Sequence, residues 1–162
     1  MSRLRLTAVR YVLSLYILLA AAGAEEPALK QQMLAAHNAV RERVKTPPLV
    51  WSDRLAGYAQ EWAGKLLARK QFMHRPDSPY GENLFEIRGG AASPGQVVKD
   101  WAEESKSYNY QSNSCSEVCG HYTQLVWRDS KEVGCAVARG GGREVWVCNY
   151  NPPGNWRGRR PY

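Results

Sequence analysis

Apolar residues recur at helical spacing in several parts of the chain, and each stripe predicts an amphipathic helix. The first stripe ends at Pro47-Pro48 and predicts a helix over residues 27–45. A second stripe follows Ser52, a residue suited to capping a helix start, and ends near Gln71. The first stripe consists of Leu29, Met33, Ala36, Val40 and Val44, and the second stripe consists of Leu55, Tyr58, Ala59, Trp62 and Leu66.

A third helix is predicted to start at Ser93-Pro94, because a capping serine followed by proline is a common helix start. One face of this helix carries Val97, Trp101, Glu104 and Tyr108. Before it, residues 74–95 hold four glycines and three prolines, which predicts a long loop with one short strand over residues 83–87. A short fourth helix is expected over residues 121–127.

The last segment predicts a β-hairpin, because two strand-like runs, Glu132–Arg139 and Arg143–Tyr150, flank three glycines. A turn centred between Gly141 and Gly142 sets three pairs opposite each other: Cys135 and Cys148, Val137 and Trp146, Val133 and Tyr150. The other face carries Ala136, Ala138, Val145 and Val147. Both faces are apolar and need a covering layer, so we expect an α+β fold with helices on both sides of a small antiparallel sheet.

The first 24 residues have the composition of a secretory signal peptide. Three arginines precede a twelve-residue apolar run, Tyr11–Ala22, and Ala22-Gly23-Ala24 forms a cleavage site. Twelve apolar residues are too few to cross a bilayer, which takes about 20, so export is favoured over a membrane anchor. The mature chain, residues 25–162, is then one secreted domain, extracellular or, in a bacterium with an outer membrane, periplasmic. Its four cysteines suit disulfides.

Composition excludes several classes of protein. The chain has a net charge of +7, but the leader supplies three of its 22 basic residues, so the mature chain carries about +4. That charge is too small to argue for nucleic acid as a partner. With 44% hydrophobic residues and no long apolar run after the leader, the mature chain is long enough to bury a core and has no integral membrane span.

Three histidines are the candidates for acid–base or metal chemistry. His37 lies beside the first apolar stripe, where a hydrogen-bonded core role is favoured. His74 begins the loop and His121 follows a cysteine pair, positions from which side chains face a cleft. Glu82 lies in the same loop, and Glu104 lies on an apolar helix face, where a carboxylate needs a partner. Two histidines with two glutamates can form a divalent metal site or a hydrogen-bonded cluster, and the spacing leaves both open.

The first two cysteines permit two structures. Cys115 and Cys119 with His121 have a possible zinc-site spacing, but export and the lack of a second closely spaced cysteine pair favour a Cys115–Cys119 disulfide. That crosslink would hold His121 in place. With all four cysteines paired, a cysteine nucleophile is not expected.

Two longer segments closely resemble signatures of the CAP superfamily, also called SCP/TAPS proteins. They are Gly120-His121-Tyr122-Thr123-Gln124-Leu125-Val126-Trp127 and Cys148-Asn149-Tyr150-Asn151-Pro152-Pro153-Gly154-Asn155-Trp156. Shorter segments extend the resemblance through the mature chain: Ala36-His37-Asn38, Leu49-Val50-Trp51, residues 80–84, residues 101–110 and residues 133–135. The chain is most similar to the plant pathogenesis-related protein 1 type.

The resemblance implies a three-layer α-β-α sandwich with a central cavity that can hold a divalent cation, most often zinc. On matching positions the cavity residues are His74, Glu82, Glu104 and His121. His37 lies outside this set, in agreement with its predicted core role.

One departure from the pattern concerns the disulfides. The plant type usually has six cysteines, and Lys70 and Gly140 stand here where one pair would be. The remaining pairs are Cys115 with Cys119 and Cys135 with Cys148. Losing a crosslink costs about 2–4 kcal/mol if nothing compensates, and it leaves open how the loop near His74 is tethered.

The resemblance implies a secreted, non-enzymatic protein that binds small lipids, such as a sterol or a fatty acid, in a groove beside the metal cavity. It also implies a role in defence or host interaction. Tyr108, Tyr110 and Trp101 are apolar material for such a groove, although a core position is favoured for Trp101.

Two alternative functions stay open. A zinc-dependent peptidase would use His74 and His121 as ligands and Glu82 or Glu104 as general base, although a typical catalytic zinc has a third protein ligand.

The tail, residues 152–162, is similar to the C-terminal peptide that plant members can release, which suggests a signalling precursor. A solvated basic terminus that packs Trp156 and Tyr162 on the domain is favoured instead.

Overall fold

The computed structural model describes residues 28–162, so the predicted signal peptide, residues 1–24, lies outside the described residues. The elements in chain order are α1 (28–43), β1 (Val50–Trp51), α2 (Asp53–Ala68), β2 (Gly81–Arg88), α3 (Pro94–Glu103), a 3-10 turn (Glu104–Ser107), β3 (Tyr108–Asn109), β4 (Ser114–Cys115), α4 (Gly120–Leu125), β5 (Glu132–Gly140) and β6 (Arg143–Asn151). Within the described part of the chain, every helix is too short or too polar to cross a membrane.

Both predicted capping serines begin helices. The Ser52 hydroxyl accepts a hydrogen bond from the Leu55 amide at the start of α2. At the start of α3, Ser93 and Gln96 form a reciprocal capping box. Short-range side-chain chemistry therefore sets where these two helices begin.

Strands β5 and β6 form the predicted hairpin at the centre of a four-stranded sheet of order β1-β5-β6-β2. Strand β6 pairs antiparallel with β5 and β2, whereas the two-residue β1 runs parallel to β5. The three predicted pairs are confirmed: Cys135 with Cys148, Val137 with Trp146, and Val133 with Tyr150. Gly141 and Gly142 turn the chain with φ values of 57° and 70°, which favour glycine. The Cys135–Cys148 disulfide joins the two strands.

Helices cover both faces of the sheet, as predicted. On one face α2 packs on the strands, and the buried cluster there is Ala59, Trp62, Ala63, Leu66, Leu84, Ala136, Ala138, Val145 and Val147. On the other face α1, α3 and α4 share a larger cluster that includes Met33, Trp101, Leu125, Trp146 and Tyr150. Successive side chains of a strand point to opposite faces, so the two apolar sets of the hairpin enter separate cores. The fold is the expected α+β class, a three-layer α-β-α sandwich.

The predicted third helix is too long. Helix α3 ends at Glu103, Glu104 opens the 3-10 turn, and Tyr108 lies in β3. At this point the Glu104 carboxylate accepts hydrogen bonds from two backbone amides at the start of α4. The spacing of apolar residues carries no information about hydrogen bonds between distant residues. It therefore predicts a longer helix than the structure has.

Other element bounds also differ from the predictions. Helix α1 ends at residue 43, α2 ends at Ala68, and α4 covers Gly120–Leu125. Strand β2 has eight residues rather than five, because all of them pair with β6. The two-residue strands β1, β3 and β4 were not predicted, since a strand that short has no apolar pattern.

Candidate functional site

His74 and Glu82 form the first half of the candidate site. His74 Nδ1 lies 2.9 Å from Glu82 Oε1, and this hydrogen bond raises the pKa of His74. The Glu82 side chain is 5% exposed, whereas that of His74 is 65% exposed. Glu82 also accepts hydrogen bonds from the Arg75 amide at 3.0 Å and from Asn149 Nδ2 at 3.3 Å. Strand β2 thus holds a buried carboxylate against a largely exposed imidazole.

His121 and Glu104 form the second half. His121 Nδ1 lies 2.6 Å from Glu104 Oε1. The other carboxylate oxygen accepts the amides of His121 and Tyr122, at 2.9 and 3.2 Å, so Glu104 satisfies free donors at the start of α4. The His121 ring also stacks on Trp101, with centroids 6.2 Å apart and an interplanar angle of 17°. His121 is therefore held through both its ring and its backbone.

Asn83 connects the two halves. It follows Glu82 in β2, and its Nδ2 donates to the His121 carbonyl at 3.0 Å. The same Nδ2 lies 3.2 Å from the Tyr150 hydroxyl, which accepts from it. Two adjacent strand residues thus position both histidines, because Glu82 bonds to the ring of His74 and Asn83 bonds to the backbone of His121.

His37 is a buried core residue, and its predicted role is confirmed. Burial lowers the pKa of His37 to about 4, so its ring is neutral at pH 7. His37 Nδ1–H donates to the Met33 carbonyl at 2.7 Å, and Nε2 accepts from the Tyr150 hydroxyl at 2.9 Å. Together with Asn83, these residues form a chain of buried hydrogen bonds from α1 to the carbonyl of His121.

The four predicted site residues form two pairs rather than one closed shell of ligands. Within residues 28–162, no three of them have ligand atoms within 4.8 Å of one another. The group that meets this spacing in that range is His37 with Cys135 and Cys148, a possible His/Cys set whose sulfurs are joined in a disulfide and are not thiolate ligands. In each His–Glu pair the carboxylate faces Nδ1. That arrangement orients a metal-binding histidine and leaves its Nε2 for an ion.

The predicted Cys115–Cys119 disulfide is present and closes the loop that leads into α4. All four cysteines lie within the described residues and all are paired. The zinc-site interpretation of Cys115 and Cys119 is therefore wrong, because a disulfide sulfur carries no thiolate charge. Cys119 directly precedes α4, so the crosslink restrains the segment that carries His121.

The aromatic residues predicted for a groove separate into two environments. Trp101 is 1% exposed and bonds through its Nε1–H to a β2 carbonyl, so it belongs to the core. Tyr108 and Tyr110 instead pack around Tyr162, whose ring stacks on that of Tyr110 at 4.9 Å. Tyr122 donates its hydroxyl hydrogen to the Tyr162 hydroxyl. These four tyrosines are called the tyrosine cluster below.

The C-terminal tail is packed on the domain. Arg159 pairs with Asp129 at 2.7 Å, and the Gly154 amide donates to a glutamine of α4 at 2.9 Å. The prediction that Tyr162 packs on the domain is confirmed by its place in the tyrosine cluster. For Trp156 the prediction is wrong, since this residue is 56% exposed and its Nε1–H bonds within the tail.

Two residues of the site were not predicted. Asp100 lies one helical turn before Glu104, burial raises its pKa, and the charges of His121 and Glu104 act on it. A search for polar residues at i and i+4 would have found Asp100. Asn83 has no comparable signal, because nothing in a strand sequence shows that an amide reaches a carbonyl of another element.

Comparison with known proteins gives a consistent result. The family model described as the cysteine-rich secretory protein family, CAP, matches residues 34–150. Pathogenesis-related protein 1A of Nicotiana tabacum is 46% identical over 136 residues, which cover 82% of this chain and 80% of that protein. Pathogenesis-related protein 1 of Arabidopsis thaliana is 42% identical over 154 residues, or 91% of this chain and 94% of that protein.

Solved structures show the same architecture. Schistosoma mansoni venom allergen-like protein 4 superposes with a TM-score of 0.68 at 29% identity, over 82% of this chain and 92% of that one. The crystal structure of NaASP2 with Zn²⁺ superposes with a TM-score of 0.69 at 23% identity, over 83% of this chain and 84% of that one. The second likeness concerns the fold alone.

Proposed function

The chain belongs to the CAP, or cysteine-rich secretory protein, family, and from this we propose that it is a secreted, non-enzymatic protein that binds small lipids, such as a sterol or a fatty acid, beside a His/Glu metal site. Relatives named as pathogenesis-related proteins support a role in defence or host interaction. The signal-peptide composition of residues 1–24 and the two disulfides support secretion, since disulfides form in oxidising compartments.

The non-enzymatic assignment rests on the state of the two glutamates. Glu82 and Glu104 each accept three hydrogen bonds from protein donors. A general base needs a carboxylate oxygen that can take a proton from water or substrate. A carboxylate has about four acceptor sites, and in each glutamate three hydrogen bonds already orient a histidine and neighbouring groups, so the site favours binding over hydrolysis.

A divalent ion, zinc in particular, would be held through Nε2 of His74 and His121, with Glu82 and Glu104 orienting the rings. The donor chemistry fits, since neutral imidazole suits Zn²⁺. A bound ion supplies positive charge and open positions for a polar group of a ligand. Two protein ligands are fewer than the three of a typical catalytic zinc, so we expect weak, exchangeable binding. One protein of the same fold was crystallised with Zn²⁺.

The tyrosine cluster supports the lipid assignment. Tyr110 is 43% exposed and stacks on Tyr162, so the cluster presents aromatic surface to solvent. Tyr122 belongs to the same cluster and directly follows His121 in α4. A ring with an apolar body and a polar tip suits a lipid that combines a hydrocarbon body with one polar group.

Two alternative functions have specific tests. If the protein were a zinc-dependent peptidase, a Glu104→Gln variant would lose zinc-dependent peptide cleavage, and residual metal-independent cleavage would indicate a contaminant.

If the protein were a peptide precursor, mass spectrometry of secreted protein would show loss of residues 152–162. Tyr150 is fully buried and the tail is packed, so cleavage there requires local opening.

Equilibrium binding of radiolabelled sterol and fatty acid to mature protein, residues 25–162, tests the proposed function. We expect saturable binding that Tyr110→Ser weakens about fivefold through lost apolar contact, whereas Arg43→Ser on α1 leaves it unchanged. Binding that persists in a chelator shows that metal and lipid sites are independent. Absence of binding to both lipids overturns the lipid assignment.

A further inference from the structure

One end of the hairpin carries a cationic cavity that the proposed lipid and metal sites do not use. Its volume is about 430 Å³, and its wall consists of Lys70, Arg88, Arg143, Leu67 and the glycine turn 140–142. Three of these residues are cations, and no acidic residue among 28–162 lines the cavity. Lys70 and Gly140 are also the two positions where the resembled pattern has a cysteine pair.

Arg143 shows why the cavity keeps its positive charge. Its side chain is 9% exposed, donates to the carbonyl of Gln71 at 2.6 Å, and pairs with Glu86. Glu86 is shared with Arg88, so one carboxylate faces two guanidinium groups while Lys70 adds a third cation. The cavity wall thus carries three positive charges against the one negative charge of Glu86.

Two exposed apolar side chains follow Lys70, a residue of the cavity wall, closely in the chain. Phe72 is 49% exposed and Met73 is 46% exposed, and they are the one consecutive pair of exposed large apolar residues in the described chain. Their backbone is held from the protein side, because the Gln71 carbonyl accepts from Arg143 and the Met73 carbonyl accepts from Trp62 Nε1 at 3.1 Å. The segment therefore presents both side chains from a fixed support.

We propose that this end of the hairpin docks the protein on a bilayer surface that contains anionic phospholipid. A headgroup phosphate lies between Lys70 and Arg88, and Phe72 and Met73 insert at the boundary of headgroups and acyl chains. Apolar side chains flanked by cations are the combination that binds anionic membranes. A soluble anion would use the cations but gain nothing from the apolar pair. The inference does not depend on uptake of a small lipid.

Co-sedimentation with vesicles tests the proposal. We expect the mature protein to bind vesicles of phosphatidylcholine with roughly one-third phosphatidic acid, and to be released by high salt because screening weakens charge attraction. Each basic residue near such a surface contributes about fivefold, so Lys70→Glu with Arg88→Glu lowers the partition coefficient about 30-fold or more. Phe72→Ser with Met73→Ser keeps the charge and lowers it about tenfold.

The matched control is Arg43→Glu with Lys45→Glu, which makes the same change in net charge on exposed residues outside the cavity. We expect this control to bind within about threefold of the unaltered protein. An equal loss in the control indicates non-specific attraction and overturns the proposal. So does unchanged binding after Phe72→Ser with Met73→Ser, or binding of free glycerol phosphate without vesicle binding. Near-ultraviolet circular dichroism confirms that each variant is folded before it is compared.

Discussion

Asn83 shows how an uncharged side chain supports a site that it does not enter. It is 1% exposed and donates to the His121 carbonyl, while its neighbour Glu82 bonds to the ring of His74. The Tyr150 hydroxyl continues the contact into the core. The orientation of His121 therefore depends on Asn83, which contacts the backbone of His121 and not its ring.

Replacing Asn83 tests that dependence. Asn83→Ala leaves the His121 carbonyl without its donor, and we expect a loss of about 1–3 kcal/mol in the free energy of unfolding. We also expect Zn²⁺ to bind about tenfold more weakly, because residues that orient metal ligands have effects of that size. Isothermal titration with Zn²⁺ and urea unfolding measure the two quantities.

The control for this experiment is Val145→Ala, which removes apolar volume from the core on the opposite face of the sheet. It should lower stability without weakening Zn²⁺ binding. If both variants weaken Zn²⁺ binding equally, the effect of Asn83 is general destabilisation. If the unaltered protein binds no Zn²⁺, NMR signals of the His121 ring in the two variants still report whether Asn83 orients it.

At the scale of elements, polar contacts hold the loop that follows α2. The carbonyls of Gln71 and Met73, just before His74, are bonded to Arg143 and to Trp62. Because the sequence lacks the cysteine pair at positions 70 and 140, it does not show what holds this loop to the rest of the fold. In the structure these hydrogen bonds connect the loop to β6 and to α2 itself.

Restoring the cysteine pair should add a covalent connection to this tether. Lys70 and Gly140 line one cavity, so we expect Lys70→Cys with Gly140→Cys to form a third disulfide and to raise the free energy of unfolding by about 2–4 kcal/mol. Thiol titration and urea unfolding, with and without reductant, measure this. Two free thiols in the oxidised, folded variant would contradict the prediction. The single variant Gly140→Cys is the control.

The elements differ in how far the sequence predicts them, for physical reasons. Hairpin register follows from alternation and a two-residue glycine turn, so Cys135–Cys148 was predictable. Helix starts follow from local caps. The end of α3 at Glu103 and the strands β3 and β4 depend on bonds between distant residues. For the same reason the sequence identified the His/Glu residues as candidates but not their arrangement as two pairs joined by Asn83.

At the scale of the whole molecule, the larger core contains ionisable groups. His37 and Arg41 are fully buried. Burial lowers the pKa of Arg41 to about 10, and its guanidinium donates to the carbonyls of Leu125, Trp127 and Ser130, at 2.9, 2.9 and 3.1 Å. Arg41 stays charged at neutral pH, whereas His37 stays neutral. The stability of the molecule therefore depends on pH through His37.

Acid should destabilise the protein through His37. Its pKa is about 4 in the folded protein and near 6.5 when unfolded, so the unfolded state binds the proton more readily. The full stabilisation is present above pH 6.5 and is lost as pH falls towards 4, to a total of about 3 kcal/mol. Urea unfolding at several pH values measures this. His37→Gln should show a shallower slope over that range, and an unchanged slope would contradict the assignment.

Glu104 has a structural role that bears on how such a site changes in evolution. Its carboxylate orients the His121 ring and also satisfies two amides at the start of α4. Selection for folding alone would keep this glutamate in a descendant that no longer used a metal. His74 is 65% exposed and contributes little to packing. Loss of metal use in a lineage would therefore leave its first trace at His74, while Glu104 would persist as an inherited part of the fold.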